Sequence, residues 1–188
     1  MMLHRFQFKG VHCFLTVQIA LLLAGPMAAQ DKSKLMDDFL RLRRNVVGMV
    51  DAMPASGLRT APTEGVRDFA QQIEHIAAGA VNIIALGVDT DAVDLGMSPG
   101  EYLNDKDALK EFVNRAFDRV DAMLASMSPE DLQEAGSLFG QLERPRWMIV
   151  QVAHEHGVWT LGATVPYLRM NGAAPPGYNL VPGVGGGD

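Results

Sequence analysis

Apolar residues that recur at alternating steps of four and three, in long segments separated by turn-forming residues, restrict this chain to packed helices. Leu35, Phe39, Leu42, Val46, Met49 and Met53 carry such a repeat, with Asp37, Asp38, Arg41, Arg43 and Arg44 between them, which predicts an amphipathic helix over residues 34–53. Pro54 to Pro62 is a turn-rich connection. A second helix is predicted from Thr63, whose hydroxyl is suited to cap it, to about residue 86, with Val66, Phe69, Ile73, Ile76, Ala80 and Ile84 on one stripe. A third is predicted from about residue 105 to residue 127, where Leu109, Phe112, Val113, Phe117, Val120, Leu124 and Met127 repeat in the same way.

The intervals between these stripes read differently. Residues 87–104 form a long acidic loop in which Asp89, Asp91 and Asp94 precede Met97 to Gly100. Their spacing lacks the glycine and the terminal glutamate of an EF-hand, so the run reads as solvated and not as a calcium loop. Ser128-Pro129-Glu130-Asp131 is a helix-start signature, with serine as the cap, proline at the first helical position and acids in the first turn. The short helix it starts is expected to fade near Gly140, and a last long helix is expected over residues 145–171, stopped by Asn171-Gly172 and then Pro175-Pro176. No segment has the period of a strand. The expected fold is all-α, an up-and-down four-helix bundle spanning residues 31–178, followed by a Gly-rich tail over residues 179–188.

Residues 1–30 have the order of a secretory signal peptide: Arg5 and Lys9, then an apolar window from Cys13 to Ala24, then the small residues Gly25, Ala28 and Ala29. The window is too short to cross the roughly 30 Å of a bilayer core as an anchor. Cleavage is expected near Ala29 or Gln30, although neither cut gives a clean A-x-A, and the protein is expected in the periplasm or secreted. Loss of Arg5 and Lys9 leaves 14 of the 16 Lys and Arg against all 22 Asp and Glu, a net charge of −8. That balance opposes binding to nucleic acid or to an anionic membrane surface. The single cysteine, Cys13, leaves with the signal, so the mature part has no disulfide, no thiolate nucleophile and no cysteine-ligated metal.

Candidate chemistry rests on the three remaining histidines. In the last helix Met148, Val152, His156, Trp159, Ala163 and Met170 form a row expected to face the core. His154 lies on a second apolar row with Val150, Val158, Leu161 and Val165, about 200° from His156, too far round a regular helix to share an ion with it. His75 falls about 140° from the centre of its stripe, beside Asp68, Gln71, Gly79 and Asn82. That polar row faces either a site inside the bundle or water. Trp147, Trp159 and Tyr167 are expected to fill the core, and Arg169 to suit the dipole at a helix end.

Two stretches carry a family resemblance. Residues 66–77, V-R-D-F-A-Q-Q-I-E-H-I-A, and residues 161–176, which run from Leu161-Gly162 through Tyr167-Leu168-Arg169-Met170-Asn171-Gly172 to Pro175-Pro176, resemble two signature regions of the DinB-like superfamily. The resemblance spans most of residues 34–178. It implies a four-helix bundle, often dimeric, with a divalent metal such as zinc or nickel held by one histidine of the second helix and two of the last, four residues apart. Carried over, His75 matches the first ligand and His156 the second. The third position falls on Thr160, a poor ligand for either metal. His154 or Glu155 would compensate only if Gly157 or Pro166 distorts the helix.

Three functions follow from this reading. The first is a metal-dependent hydrolase or thiol transferase using His75 and His156, in which alanine at either position abolishes metal binding while His154→Ala leaves it intact. The second is a metal-free module binding a small molecule in the same pocket, and the third is a structural or stress-related homodimer. No Ser-His-Asp set, phosphate loop or dinucleotide fingerprint is present, and Gly183 to Gly187 is a terminal run without a strand before it.

Overall fold

A computed structural model describes residues 31–88 and 90–178. The expected signal peptide and its cleavage site, Asp89 and the tail over residues 179–188 lie outside the described residues. Four long helices make the bundle: α1 (Lys32–Ala52), α2 (Phe69–Gly87), α4 (Lys106–Ser126) and α5 (Arg146–Ala163). Two shorter ones, α3 (Pro99–Tyr102) and α6 (Val165–Met170), precede α4 and follow α5. The stripes of the first three long helices meet in one core containing Phe39, Leu42, Val46, Phe69, Ile73, Ile84, Leu109, Phe117 and Leu124.

Within this all-α bundle each long helix has two neighbours, and α1 lies diagonally across from α2. Lys32 reaches the carbonyls of Ala125 and Met127, while Lys106 reaches that of Asp51, so α4 runs antiparallel to α1. Phe39 meets His154 and Leu42 lies against Gly157, so α5 runs parallel to α1. The directions are therefore up, down, down, up. The loop before α3 permits this by returning along the bundle, tied by Val93 N–H to Asn82 Oδ1 and by Arg115 to the Leu95 carbonyl.

Several boundaries differ from those expected of the sequence. Helix α2 begins at Phe69 and not at Thr63, because Asp68 and Gln71 form a reciprocal capping box: Gln71 N–H donates to Asp68 Oδ1 at 2.9 Å and Asp68 N–H to Gln71 Oε1 at 3.0 Å. The next free donors, Phe69 and Ala70 N–H, are taken by the carbonyls of Thr60 and Leu58. A lone Thr63 hydroxyl cannot match that, and Gly65, at φ +79°, turns the chain before any helix forms. Val66 is accordingly exposed.

The expected helix after Ser128 is reduced to one 3-10 turn, Asp131–Gln133, followed by a hairpin of β1 (Ala135–Leu138) and β2 (Leu142–Pro145). The start signature does form, with Asp131 N–H donating to Ser128 Oγ and Ser128 N–H to Asp131 Oδ2. Propagation fails where the chain extends into β1, and Phe139 and Gly140, both at positive φ, reverse it within the three-residue link from Phe139 to Gln141. The strand pair was invisible to periodicity because four residues a side are too few to show it.

The last helix is broken at Thr164, whose hydroxyl donates to the Leu161 carbonyl, and Pro166 supplies no donor to continue the ladder. The row expected to face the core lies at its margin instead, with Met148, Val152 and His156 half-buried and Trp159, Ala163 and Met170 exposed. Trp159 is 85% exposed and Met170 53%, while Ile149, Val150, Ala153, Gly157, Thr160 and Leu161 form the buried face. Helix α5 scatters Arg146, Gln151, His154, Glu155, His156 and Thr160 round its axis, so its hydrophobic pattern has little preferred direction, and its inward face is set by where small residues admit close contact.

The helix start yields a direct test. Asp68→Ala should cost about 1–2 kcal/mol in urea unfolding, whereas Thr63→Ala should stay within about 0.5 kcal/mol. Equal losses would contradict the observed boundary.

Candidate functional site

Helices α2 and α5 form the closest pair in the bundle, antiparallel, and the site lies on their shared outer edge. A Cβ added at Gly79 would stand 2.5 Å from Cε1 and 2.9 Å from Nδ1 of His156, so only glycine there lets the imidazole lie against the α2 backbone. One turn earlier on α2, His75 meets the same ring edge-on, with ring centres 4.7 Å apart and planes at 81°. Their Nε2 atoms are 3.1 Å apart.

That contact is a hydrogen bond when one ring carries its proton on Nε2 and the other on Nδ1. His156 Nδ1 is buried with no hydrogen-bond partner, and an orphaned donor is costlier than an orphaned lone pair. The arrangement that avoids the orphaned donor has His156 donating through Nε2–H to the bare Nε2 of His75. Both rings are neutral in it. Burial pushes both histidines below the usual 6.5, the positive charge of Arg67 acts in the same direction on each, and His156 adds a smaller effect on His75.

The surroundings of the pair are polar but not acidic. Gln72, one turn before His75, donates to Tyr167 Oη at 3.3 Å, and that hydroxyl in turn donates to the Arg67 carbonyl at 2.9 Å. Tyr167 is buried, as expected, and pins the backbone just before α2 to the start of α6. Asp68, Glu74 and Glu155, the carboxylates adjacent in sequence to Arg67, His75 and His156, are all engaged elsewhere. Asp68 caps α2 and pairs with Arg59 at 3.0 Å, Glu74 accepts from Tyr102 Oη at 2.6 Å, and Glu155 accepts from Gln151. Burial and that Glu74 contact raise the Tyr102 phenol far above its ordinary value.

His75 and His156 thus come together, and His154 does not join them. Its ring packs edge-on against Phe39 at 5.6 Å, facing a cleft of about 280 Å³ between α1 and α5 lined by Lys34, Asp38, Arg41 and Gln151. Asp38, only 8% exposed, is held by Lys34 and Arg41, and both contacts keep its carboxyl below the usual range against the opposing effect of burial. Thr160 is 7% exposed on the buried face of α5. The break at Pro166 lies beyond this stretch and leaves residues 146–163 a continuous helix, so neither His154 nor Glu155 turns toward the pair. Trp159, expected in the core, stands exposed one turn from His156. Periodicity could not find His75 because it lies off the apolar stripe; its partner across the helix pair is what identifies it.

A larger cleft, about 730 Å³, lies between residues 90–95 and α4; it is open, and of its charged lining residues Arg115 pairs with Glu111 and Asp118 with Arg43.

Residues 38–158 match the DinB superfamily. The chain belongs to the DinB superfamily. The DinB bundle seen here is shared with crystal structures of two DinB-like proteins. One, from Bacillus cereus ATCC 10987, is 17% identical with a TM-score of 0.60, covering 77% of this chain and 95% of that one. The other, from Bacillus subtilis, is 17% identical with a TM-score of 0.62, covering 78% and 98%. No curated protein matches the chain. At this identity the likeness of these DinB proteins is one of fold.

In this DinB chain the His154 environment predicts a pH dependence. Burial lowers its pKa below 6.5; Asp38 and Glu155 oppose that, while Arg41 and Lys34 reinforce it. The unfolded chain therefore takes the proton first, and the stability associated with neutral His154 is complete above 6.5 and lost as pH falls toward the folded value. The melting temperature should fall between about pH 7.5 and 5.5, and His154→Phe, which keeps a ring against Phe39, should flatten that fall. An unchanged slope in the variant would contradict the assignment.

Proposed function

We propose that this DinB-superfamily chain is a metal-independent binding module whose small-molecule ligand meets the outer edge of α2 and α5 where His75 and His156 pair. The observation that carries the reading is the state of His156: Nε2 is engaged by His75 at 3.1 Å, and Nδ1 is buried without an acceptor. Zinc or nickel would be held by His75 and His156, and such an ion would supply an activated water or thiolate. Both Nε2 atoms would then bind the ion, and His156 would have to carry its proton on the orphaned Nδ1. Metal-binding histidines almost always donate that second N–H to a carboxylate, carbonyl or water, and here no acceptor faces it.

The donor set argues the same way. Among the described residues no cluster of three His, Cys, Asp or Glu has metal-binding geometry, and Thr160 stands at the family's third ligand position. Burial and the positive charge of Arg67 both disfavour added positive charge on the two rings. The residues present therefore do not fit a resident divalent ion. What they supply is a neutral imidazole pair whose one uncommitted N–H is that of His75 Nδ1, beside an exposed indole on α5.

Residues 1–30 support export of the protein, with its function in the periplasm or outside the cell.

Titration with zinc in a chelator-free buffer tests the reading. The chain should show no binding near the roughly 10–16 kcal/mol range of structural zinc sites. Thr160→His supplies a third imidazole four residues after His156, and should raise zinc affinity at least about tenfold. Stoichiometric zinc on the unaltered chain, lost in His75→Ala and kept in His154→Ala, would establish the metal-dependent reading instead.

A further inference from the structure

We infer that the cavity beneath Pro175 to Tyr178 is a second binding site, which takes a small uncharged apolar molecule and uses that segment as a displaceable roof. It lies on the α1–α5 seam, neither histidine of the α2–α5 pair lines it, and it stands or falls independently of the reading above.

The seam is shaped by side-chain size. Helices α1 and α5 run parallel, and Leu42 lies so close to Gly157 that a Cβ there would stand 2.5 Å from Leu42 Cδ2. On the side toward the start of α1 the seam opens into the polar cleft of Lys34, Asp38 and Arg41. On the other side it holds a cavity of about 60 Å³, walled by Asn45 and Met49 of α1, Leu161 of α5 and Val165 of α6. Met49 and Leu161 are buried, and among the described residues no charged side chain lines the cavity. Walls of this kind cannot solvate an ion, and they suit an apolar guest.

The roof is the Pro175-Pro176 ending, which in the sequence reads only as a helix stop. In the structure it lies across α1, with Pro176 Cγ 3.5 Å from the place a Cβ of Gly48 would take. The root of the segment is fixed. Asn171 Nδ2–H donates to the Tyr167 carbonyl at 2.9 Å, its Oδ1 accepts from the Thr60 hydroxyl at 3.1 Å, and Ala173 N–H donates to the Leu168 carbonyl at 2.9 Å. Past Ala173 no backbone–backbone hydrogen bond joins the segment to another described residue, and the two prolines have no N–H to offer. The result is a short stiff strap that rises from a fixed turn and is laid on the bundle by apolar contact. Protein interiors hold few voids larger than a water molecule, and this one lies directly beneath a cover that can lift. A ring such as benzene needs a cavity on the order of 150 Å³, more than the roofed space offers, so the strap has to swing out to admit it and settle back on the guest.

Methyl NMR of the protein during titration with benzene, and in parallel with benzoate, tests the site. Benzene should shift the methyls of Met49, Leu161 and Val165 saturably and leave in place those of Ile84 and Leu132, at the other end of the bundle. Benzoate, whose charge the walls cannot solvate, should bind at least about tenfold more weakly. Val165→Phe, which fills the cavity from its rim, should abolish the saturable shift at Met49. Pro175→Gly combined with Pro176→Gly frees the strap and should weaken benzene about threefold or more. Circular dichroism of each variant controls for folding. Unshifted Met49, Leu161 and Val165 methyls, equally large shifts at Ile84 and Leu132, or benzoate binding as tightly as benzene overturns the site. Benzene binding that the double glycine variant leaves unchanged overturns the assignment of the strap as its roof.

Discussion

The approach of α5 to α2 is the contact on which the rest of the structure depends. It is made where α2 offers glycine and α5 a larger side chain, Gly79 beneath the His156 ring and Gly87 against Ile149, while Gly157 lies beneath Leu42 of α1 on the other flank of α5. Because the polar residues of α5 are scattered round its axis, burial alone would accept several rotations of this helix. The small residues select one. Once His156 lies on Gly79, Thr160 and Ile149 turn inward, Trp159 turns outward, and His154 is carried to the α1 side.

That rotation separates two histidine environments that are only two residues apart in sequence. On the α1 side His154 is packed on Phe39 in a cleft where Lys34 and Arg41 already neutralise Asp38, an arrangement of internal balance. On the α2 side the balance is broken. His75 and His156 satisfy each other, one ring nitrogen is left without a partner, and the nearby carboxylates are taken up in caps and hydrogen bonds elsewhere.

The fold was largely legible in the chain because three helices write their inward face as a stripe. Leu35 to Met53, Phe69 to Ile84 and Leu109 to Met127 all bury the residues their spacing selects. Where the pattern lost its direction the reading failed. The outward turn of Trp159 could not be seen in a helix whose polar residues point in several directions, nor could a hairpin of four-residue strands behind a true helix-start signature. Thr63 was outcompeted by Asp68 because a reciprocal box satisfies two backbone donors and a hydroxyl only one. For the site, the pairing of His75 with His156 was accessible through the family resemblance and not through periodicity, since each histidine sits on the margin of its helix's buried face. Arg67 carried no signal at all: its place depends on Tyr167, 100 residues further along the chain.

The central claim is that His75 and His156 form a neutral, mutually hydrogen-bonded pair with the proton of His156 on Nε2. Long-range proton–nitrogen correlation NMR of the imidazole rings at neutral pH measures this directly. The account predicts a neutral Nε2–H tautomer for His156 and a neutral Nδ1–H tautomer for His75, unchanged on addition of zinc and reassigned when Gly79→Ala displaces the ring. Two Nδ1–H tautomers whose Nε2 resonances both shift with zinc would contradict it, as would a doubly protonated ring in the pair.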